Sequence, residues 1–305
     1  MTTAANTVTK TATWNVKRLS GSLGAEIRGI SLAAADASDA EAIKALLTEH
    51  LVLFFPDQGL TPDQHIAFGR LFGQLESHPN LSIGAERPEF FELHAYGGQG
   101  AVADEWHSDL SCQARPSLIA ILHMVRCPDV GGDTMWTNTY KAYDELSAPM
   151  REFCDGLSAL HDAHPHGKPE QMAVHPVVRV HPETGRKALF VNEHFTRRIV
   201  ELSHQESEVI LAFLTRWVAS PRFTVRYHWT PGTIAMWDNR CTQHHVLNDF
   251  EGDRIIQRVT VMGDDPKPAT PPRWKPYIKG VTAGSHRDFQ LQTFLSSARS
   301  GARES

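Results

Sequence analysis

The amino-acid sequence predicts a mainly β protein with helical decoration, a β-sandwich or jelly roll, on three observations. Many segments alternate apolar and polar residues with a period of two, the spacing of a half-buried strand. Helical segments are few, open on capping motifs and fall at irregular intervals. The regular strand–helix repeat and GxGxxG turn of a dinucleotide-binding fold are both missing.

Taken in chain order, residues 1–12 are rich in Thr and Ala without an apolar run, which predicts a disordered tail and not a secretory signal. Ser38 with Glu41 has the spacing of a capping box, in which each side chain satisfies the other residue's free N–H. It predicts a helix striped by Ile43, Leu46 and Leu47, followed by a short apolar strand over 51–55. Thr61 with Gln64, and Pro62 at the first helical position, predicts a second helix carrying Phe68, Leu71 and Phe72 and ending at Gly73. Residues 117–125 are apolar on both faces, as in a central strand, and Gly131-Gly132-Asp133 marks a turn. Strands follow over 176–180 and 188–192, separated by Thr184-Gly185. Ser203 with Glu206 opens a third helix, striped by Ile210, Phe213, Leu214 and Trp217. Phe223, Val225, Tyr227 and Trp229 alternate with polar neighbours, and 233–237 and 254–262 complete the strands. The proline-rich stretch from 264 passes into a Ser/Arg tail. The expected organisation is therefore a tail (1–12), one catalytic domain (13–263) and a C-terminal arm (264–305).

Composition narrows the function. The 305 residues are 41% hydrophobic and 21% charged, enough to bury a sizeable core. A net charge of -5 offers no basic excess for nucleic acid or an anionic membrane. No apolar run approaches the ~20 residues of a membrane span. The four cysteines show no CxxC spacing, which fits a reducing, cytoplasmic compartment. Histidine is the unusual item, with 17 in the chain.

Three segments carry candidate chemistry. In Trp106-His107-Ser108-Asp109, an extended backbone puts His107 and Asp109 on one face, where both reach a single ion. Far downstream, His244 or His245 offers a third ligand, but neighbours on a strand point opposite ways, so only one of them serves. Two histidines and one carboxylate with open positions match the facial triad of non-haem Fe(II) oxygenases better than a closed zinc site. Third, Arg254 and Arg258 emerge on one strand face about 13 Å apart, with Ile255, Val259 and Val261 on the other. Two guanidiniums on a buried face each require an anion, and the alternative the residues leave open is a solvated polar face with salt bridges to Asp249, Glu251 or Asp253.

Taken together and in order, these strings resemble the taurine dioxygenase / 2,4-dichlorophenoxyacetate dioxygenase family. They are Trp106-His107-Ser108-Asp109, Gly131-Gly132-Asp133-Thr134-Met135-Trp136, Trp237-Asp238-Asn239-Arg240 through His244, and Arg254 with Arg258. Further matches at 21–29, 175–179, 181–185 and 190–193 extend the resemblance from about residue 19 to 263. It implies a double-stranded β-helix, or jelly roll, that uses Fe(II), 2-oxoglutarate and O2. It makes His107, Asp109 and His244 the iron ligands. Thr134 and Arg254 take the positions that hold the distal carboxylate of 2-oxoglutarate. His78, Phe195 and Arg258 take substrate-contacting positions, with Arg258 on the anionic group. Leu81 and Ala103 stand where taurine dioxygenase has a tyrosine and an asparagine, and 162–175 is shorter than the family's usual lid.

The expectation is a hydroxylase of a small, anionic organic substrate such as a sulfonate, sulfate ester or aryloxyalkanoate, releasing succinate and CO2. A homo-oligomer, dimer or tetramer, is expected, with neither nucleic acid nor membrane as partner. Two alternatives compete: a zinc metallohydrolase using the same triad, and a non-catalytic jelly-roll binding module. Thr134 and Arg254 have no purpose in the first, and the intact ligand set none in the second.

Overall fold

The computed structural model describes residues 14–77, 86–97 and 103–277. In chain order these form β1 (Asn15–Arg18), β2 (Ala25–Arg28), α1 (Ala37–His50), β3 (Val52–Phe55), α2 (Pro62–Arg70), β4 (Phe90–Tyr96), β5 (Ile119–Arg126) and β6 (Thr134–Asn138). There follow α3 (Thr139–Asp144), α4 (Ala148–Asp155), β7 (Ser158–Ala163), β8 (Lys168–Pro176), β9 (Val178–Val180), β10 (Lys187–Leu189), β11 (Thr196–Ile199) and α5 (His204–Val218). The chain ends through β12 (Thr224–Tyr227), β13 (Thr233–Asp238), β14 (Thr242–Val246), β15 (Asp253–Val261) and β16 (Lys267–Pro268). Two compact units share them, one built from 1–109, 117–138 and 221–264, the other from 110–116, 139–220 and 265–305.

The first unit is the jelly roll. Its larger sheet has seven strands in the order β1-β2-β3-β13-β5-β15-β4, and a second sheet runs β12-β6-β14. Aromatic rings fill the space between them: Phe54 of β3 stacks on Tyr227 at 3.8 Å and meets Trp136 edge-on at 5.2 Å, and Trp136 meets Trp237 at 5.7 Å. The opposite face of the large sheet is covered by α1 and α2, whose Ile43, Leu47, Ile66 and Phe68 join Leu53, Ile121, Met236 and Val259 in one core. Burying each such side chain contributes roughly 1.5–3 kcal/mol, so the sheet is held from both sides. At Gly69 an added Cβ would stand 2.9 Å from Val259, so α2 approaches β15 closely enough to demand glycine.

The capping boxes at Thr61 and Ser203 open α2 and α5 as predicted. The box at Ser38 does not exist. Helix α1 starts earlier, on Asp36, whose carboxylate accepts from Ser38 and Asp39 N–H while the Asp39 carboxylate returns the bond. Strand β5 lies between β13 and β15, central as expected, with Val125 the extra residue of a bulge against β15.

The second unit holds two three-stranded sheets, β11-β7-β8 and β10-β9-β16, with α3, α4 and α5. Residues 162–175 belong to the β7–β8 hairpin, with a single 3-10 turn over His164–His166. Burial keeps several histidines uncharged, among them His175, whose Nε2–H donates to Gln113 O at 2.9 Å, and in the first unit His65, bonded to Ile121 O at 3.1 Å. Burial lowers His175 to about 4 and His65 to about 3. An unfolded chain takes up these protons near pH 6.5 and the folded chain does not. Stability is therefore full above pH 6.5 and falls, by about 1.4 kcal/mol per pH unit for each histidine, as pH drops towards 4. Denaturant midpoints at successive pH values check this. His175→Gln is expected to flatten the decline, and a variant that tracks the parent throughout rules out the assignment.

Candidate metal centre

Strand β14 and the extended segment 106–109 meet in a two-bond β-bridge. His107 N–H donates to His244 O at 3.0 Å, and His244 N–H donates to His107 O at 2.8 Å. Ser108 Oγ donates to Thr242 O at 2.8 Å, extending the clasp. Asp109 N–H donates to Asn239 Oδ1 at 3.1 Å, and that oxygen also accepts from Trp237 Nε1 at 3.1 Å. Asn239 sits in the turn from β13 to β14, held by the Asp238–Arg240 pair at 2.6 Å. Asn239 thus fixes the backbone that carries Asp109.

The bridge gathers His107, Asp109 and His244, with one ligand atom from each within 4.8 Å of the others. All three are at most 6% exposed. His107 Nδ1 lies 2.7 Å from Glu105 O, which accepts only, so Nδ1 carries a proton and Nε2 is the nitrogen left to face an ion. His244 Nε2 stands 3.8 Å from Asp109 Oδ1, and burial holds this imidazole well below its usual range, hence neutral. Burial alone would raise the Asp109 carboxyl. The Arg258 guanidinium and the two imidazoles outweigh it and hold the group below the usual carboxylate range. Two imidazoles and one carboxylate converging on a buried point are a donor set suited to a divalent first-row metal. His245 turns the other way, its ring 5.5 Å from Trp106.

Arg254 and Arg258 share the inner face of β15, and their environments differ. Arg254 is 3% exposed, its Nε donates to Gly132 O at 3.4 Å, and its Nη2 has no hydrogen-bond partner among the described residues. Burial lowers it to about 10. A desolvated guanidinium with an unused N–H invites a carboxylate. Thr134 lies two residues beyond Gly132. Its Oγ1 accepts from Trp229 Nε1 at 3.0 Å, which leaves the hydroxyl hydrogen to donate. Arg258 was expected to require an external anion. Its Nη2 instead pairs with Asp109 Oδ2 at 2.5 Å, between Trp237 and Phe91, so the argument from charge balance alone does not stand. Of the remaining expected site residues, Phe195 is buried in the second unit with Cys112 and Ala163. His78, with Leu81, lies outside the described residues.

A jelly roll carrying an inward His–Asp–His set and a buried, unmatched arginine defines a class, the mononuclear non-haem metal oxygenases. Comparison with known proteins narrows this: the chain belongs to the taurine catabolism dioxygenase TauD, TfdA family, whose profile matches residues 15–260. It is 38% identical over 275 residues to an alpha-ketoglutarate-dependent sulfate ester dioxygenase of Pseudomonas putida, covering 83% of this chain and 90% of that one. It is 36% identical over 273 residues to an alkylsulfatase of Acinetobacter baylyi, covering 82% and 85%. The crystal structure of a taurine dioxygenase from Burkholderia xenovorans superposes with a TM-score of 0.75 at 38% identity, covering 88% and 97%. The protein is accordingly a 2-oxoglutarate-dependent dioxygenase, which displaces the metallohydrolase and binding-module readings. Among the described residues no helix is long and apolar enough to cross a membrane.

Proposed function

We propose that the protein uses Fe(II), 2-oxoglutarate and O2 to hydroxylate a C–H bond of a small organic anion, with sulfate esters the preferred class, ahead of sulfonates and aryloxyalkanoates. The observation that carries the cosubstrate is the buried Arg254 Nη2 without a partner. The sulfate-ester preference rests on the two relatives named for it. Bound iron, with 2-oxoglutarate and O2, supplies the oxidant, one oxygen atom entering the substrate as hydroxyl while the cosubstrate leaves as succinate and CO2. His107 and His244 contribute neutral donors and Asp109 a charged one. Arg254 and Thr134 hold the distal carboxylate of 2-oxoglutarate. Arg258 forms an ion pair with Asp109 and has other N–H groups for the substrate anion, and the family resemblance makes His78 and Phe195 substrate-contacting residues. The four free cysteines accord with a cytoplasmic setting.

Hydroxylation at the carbon that bears a sulfate oxygen gives a carbon with two oxygens, which collapses to an aldehyde and sulfate. Hydrolysis would release sulfate with neither O2 nor 2-oxoglutarate. A panel of alkyl sulfates, sulfonates and aryloxyalkanoates is therefore scored for succinate, aldehyde and sulfate, with and without O2. Equal yields of the three products, lost without O2, are expected for alkyl sulfates. Sulfate release in the absence of O2 refutes the proposal. Arg258→Gln is expected to slow turnover of charged substrates at least about tenfold more than of neutral isosteres, since a hydrogen bond to a charged group is worth about 1.5–3 kcal/mol. Equal losses on both sets remove Arg258 from the anion site.

A further inference from the structure

The string His164-Pro165-His166 has the spacing of metal ligands and no part in the dioxygenase centre. In the structure the convergence involves a histidine from a second turn. His166 Nε2 and His194 Nε2 stand 3.4 Å apart, with ring centroids at 5.4 Å and planes inclined by 54°. Both residues lie in the second unit.

The distance discriminates between two readings. Hydrogen bonds from an N–H donor cluster at about 2.7–3.2 Å, so 3.4 Å is long for an N–H···N bond. Two imidazoles on one tetrahedral zinc ion, each bound at about 2.0–2.1 Å, stand about 3.3–3.4 Å apart. The rings are already at that spacing.

Both turns are also held by bonds of the protein's own. Asp162 is 1% exposed, and its Oδ1 accepts from the His164 N–H at 3.0 Å and from Arg197 Nε at 2.7 Å. Arg197 Nη2 donates in turn to His194 O at 2.7 Å. One buried carboxylate therefore anchors both histidine-bearing turns. Gly167, left-handed at φ 69°, closes the first through its N–H to His164 O at 2.9 Å. Asn192 Oδ1 closes the second by accepting from Phe195 N–H at 2.8 Å. His194 is buried and His166 half-buried, which leaves the ion a side open to water ligands. The Phe195 ring stands edge-on to both imidazoles, at 5.3 and 4.5 Å.

We propose that His166 and His194 form a second metal site, for a borderline divalent cation of the zinc, copper(II) and nickel(II) class, with water in the remaining positions. Imidazole ligands favour these ions over Fe(II) in the usual order of affinities. The same ion would pin the Phe195 ring that both histidines flank.

The test removes the first centre with His107→Ala and His244→Ala in the tag-free full chain, then counts zinc retained at equilibrium with micromolar free Zn(II). One zinc per chain is expected, falling to none when His166→Asn or His194→Gln is added. With Cu(II) in its place, the paramagnetic resonance spectrum is expected to show nitrogen splitting from two imidazoles, lost in His166→Asn. No zinc in the first chain, zinc undiminished by both further substitutions, or a copper spectrum without the two nitrogens overturns the site. Should the double-alanine chain not fold, the parent chain is expected to bind two zinc ions and His166→Asn one, and an unchanged count overturns the proposal.

Discussion

Asp109→Ala is expected to abolish succinate formation and reduce iron retained by the purified protein to background. The substitution removes the single charged donor of the set, leaving two neutral imidazoles bridged through their backbones. From the sequence alone the change is local and stability is expected to hold. The ion pair with Arg258 at 2.5 Å alters that expectation. With side-chain exposures of 12% and 7%, the pair is buried, and breaking a buried pair by removing one partner costs about 3–5 kcal/mol. Asp109→Ala is therefore predicted to lower the denaturant midpoint of the metal-free protein, and Arg258→Met added to it to recover much of the loss. The double-substitution cycle isolates the pair. Succinate formed at the parent rate by Asp109→Ala refutes the iron assignment, and additive stability losses refute the pairing.

Arg254→Met separates binding from stability with opposite signs. The guanidinium is 3% exposed, has no carboxylate partner among the described residues and is lowered to about 10 by burial, so burying it carries a desolvation cost that a bound anion offsets. A thioether of similar length lifts that cost, and the substituted protein without cosubstrate is expected to melt at or above the parent temperature. The same change leaves a bound 2-oxoglutarate carboxylate unmatched. Losing about 3–5 kcal/mol raises the KM for 2-oxoglutarate roughly a hundredfold to several thousandfold. Steady-state titration with the cosubstrate and a melting curve without it measure the two effects. An unchanged KM would falsify the role, and a large drop in melting temperature would mean that Arg254 already has an internal anion.

The legible parts of the fold are those whose signal is local. Thr61 and Ser203 announce their helices because a capping box lies within four residues. Asp36 was missed because Asp39, a shorter acid than the usual Glu or Gln, completes its box. Strands β3, β5 and β13 are apolar runs and read directly. Strand β7, Ser-Ala-Leu-His-Asp-Ala, is buried at all six positions with His161 and Asp162 among them, so no alternation marks it. Strands β6 and β14 bury Thr, Asn, Gln and His along with their apolar residues, which blurs the alternation that reveals a strand. At the centre, one-face geometry placed His107 with Asp109 and required a choice between His244 and His245. The fold brings His244 inward. Asn239 under Asp109, and Asp109 against Arg258, join residues more than a hundred positions apart, and no spacing rule reaches them.

The bridge between His107 and His244 bears on where the energy of metal binding goes. The neighbouring bond from Ser108 to Thr242 spans 134 residues, and closing a loop of that size in a flexible chain costs about 4 kcal/mol of entropy. In a zinc finger the ion itself must overcome such costs, so metal binding and folding are one event and the apo chain is unfolded. Here main-chain hydrogen bonds, a sheet and an aromatic interlayer hold the two ends of the loop together. The cost of closure is therefore shared with the fold, and more of the free energy of coordination is expressed as affinity and as choice among metals.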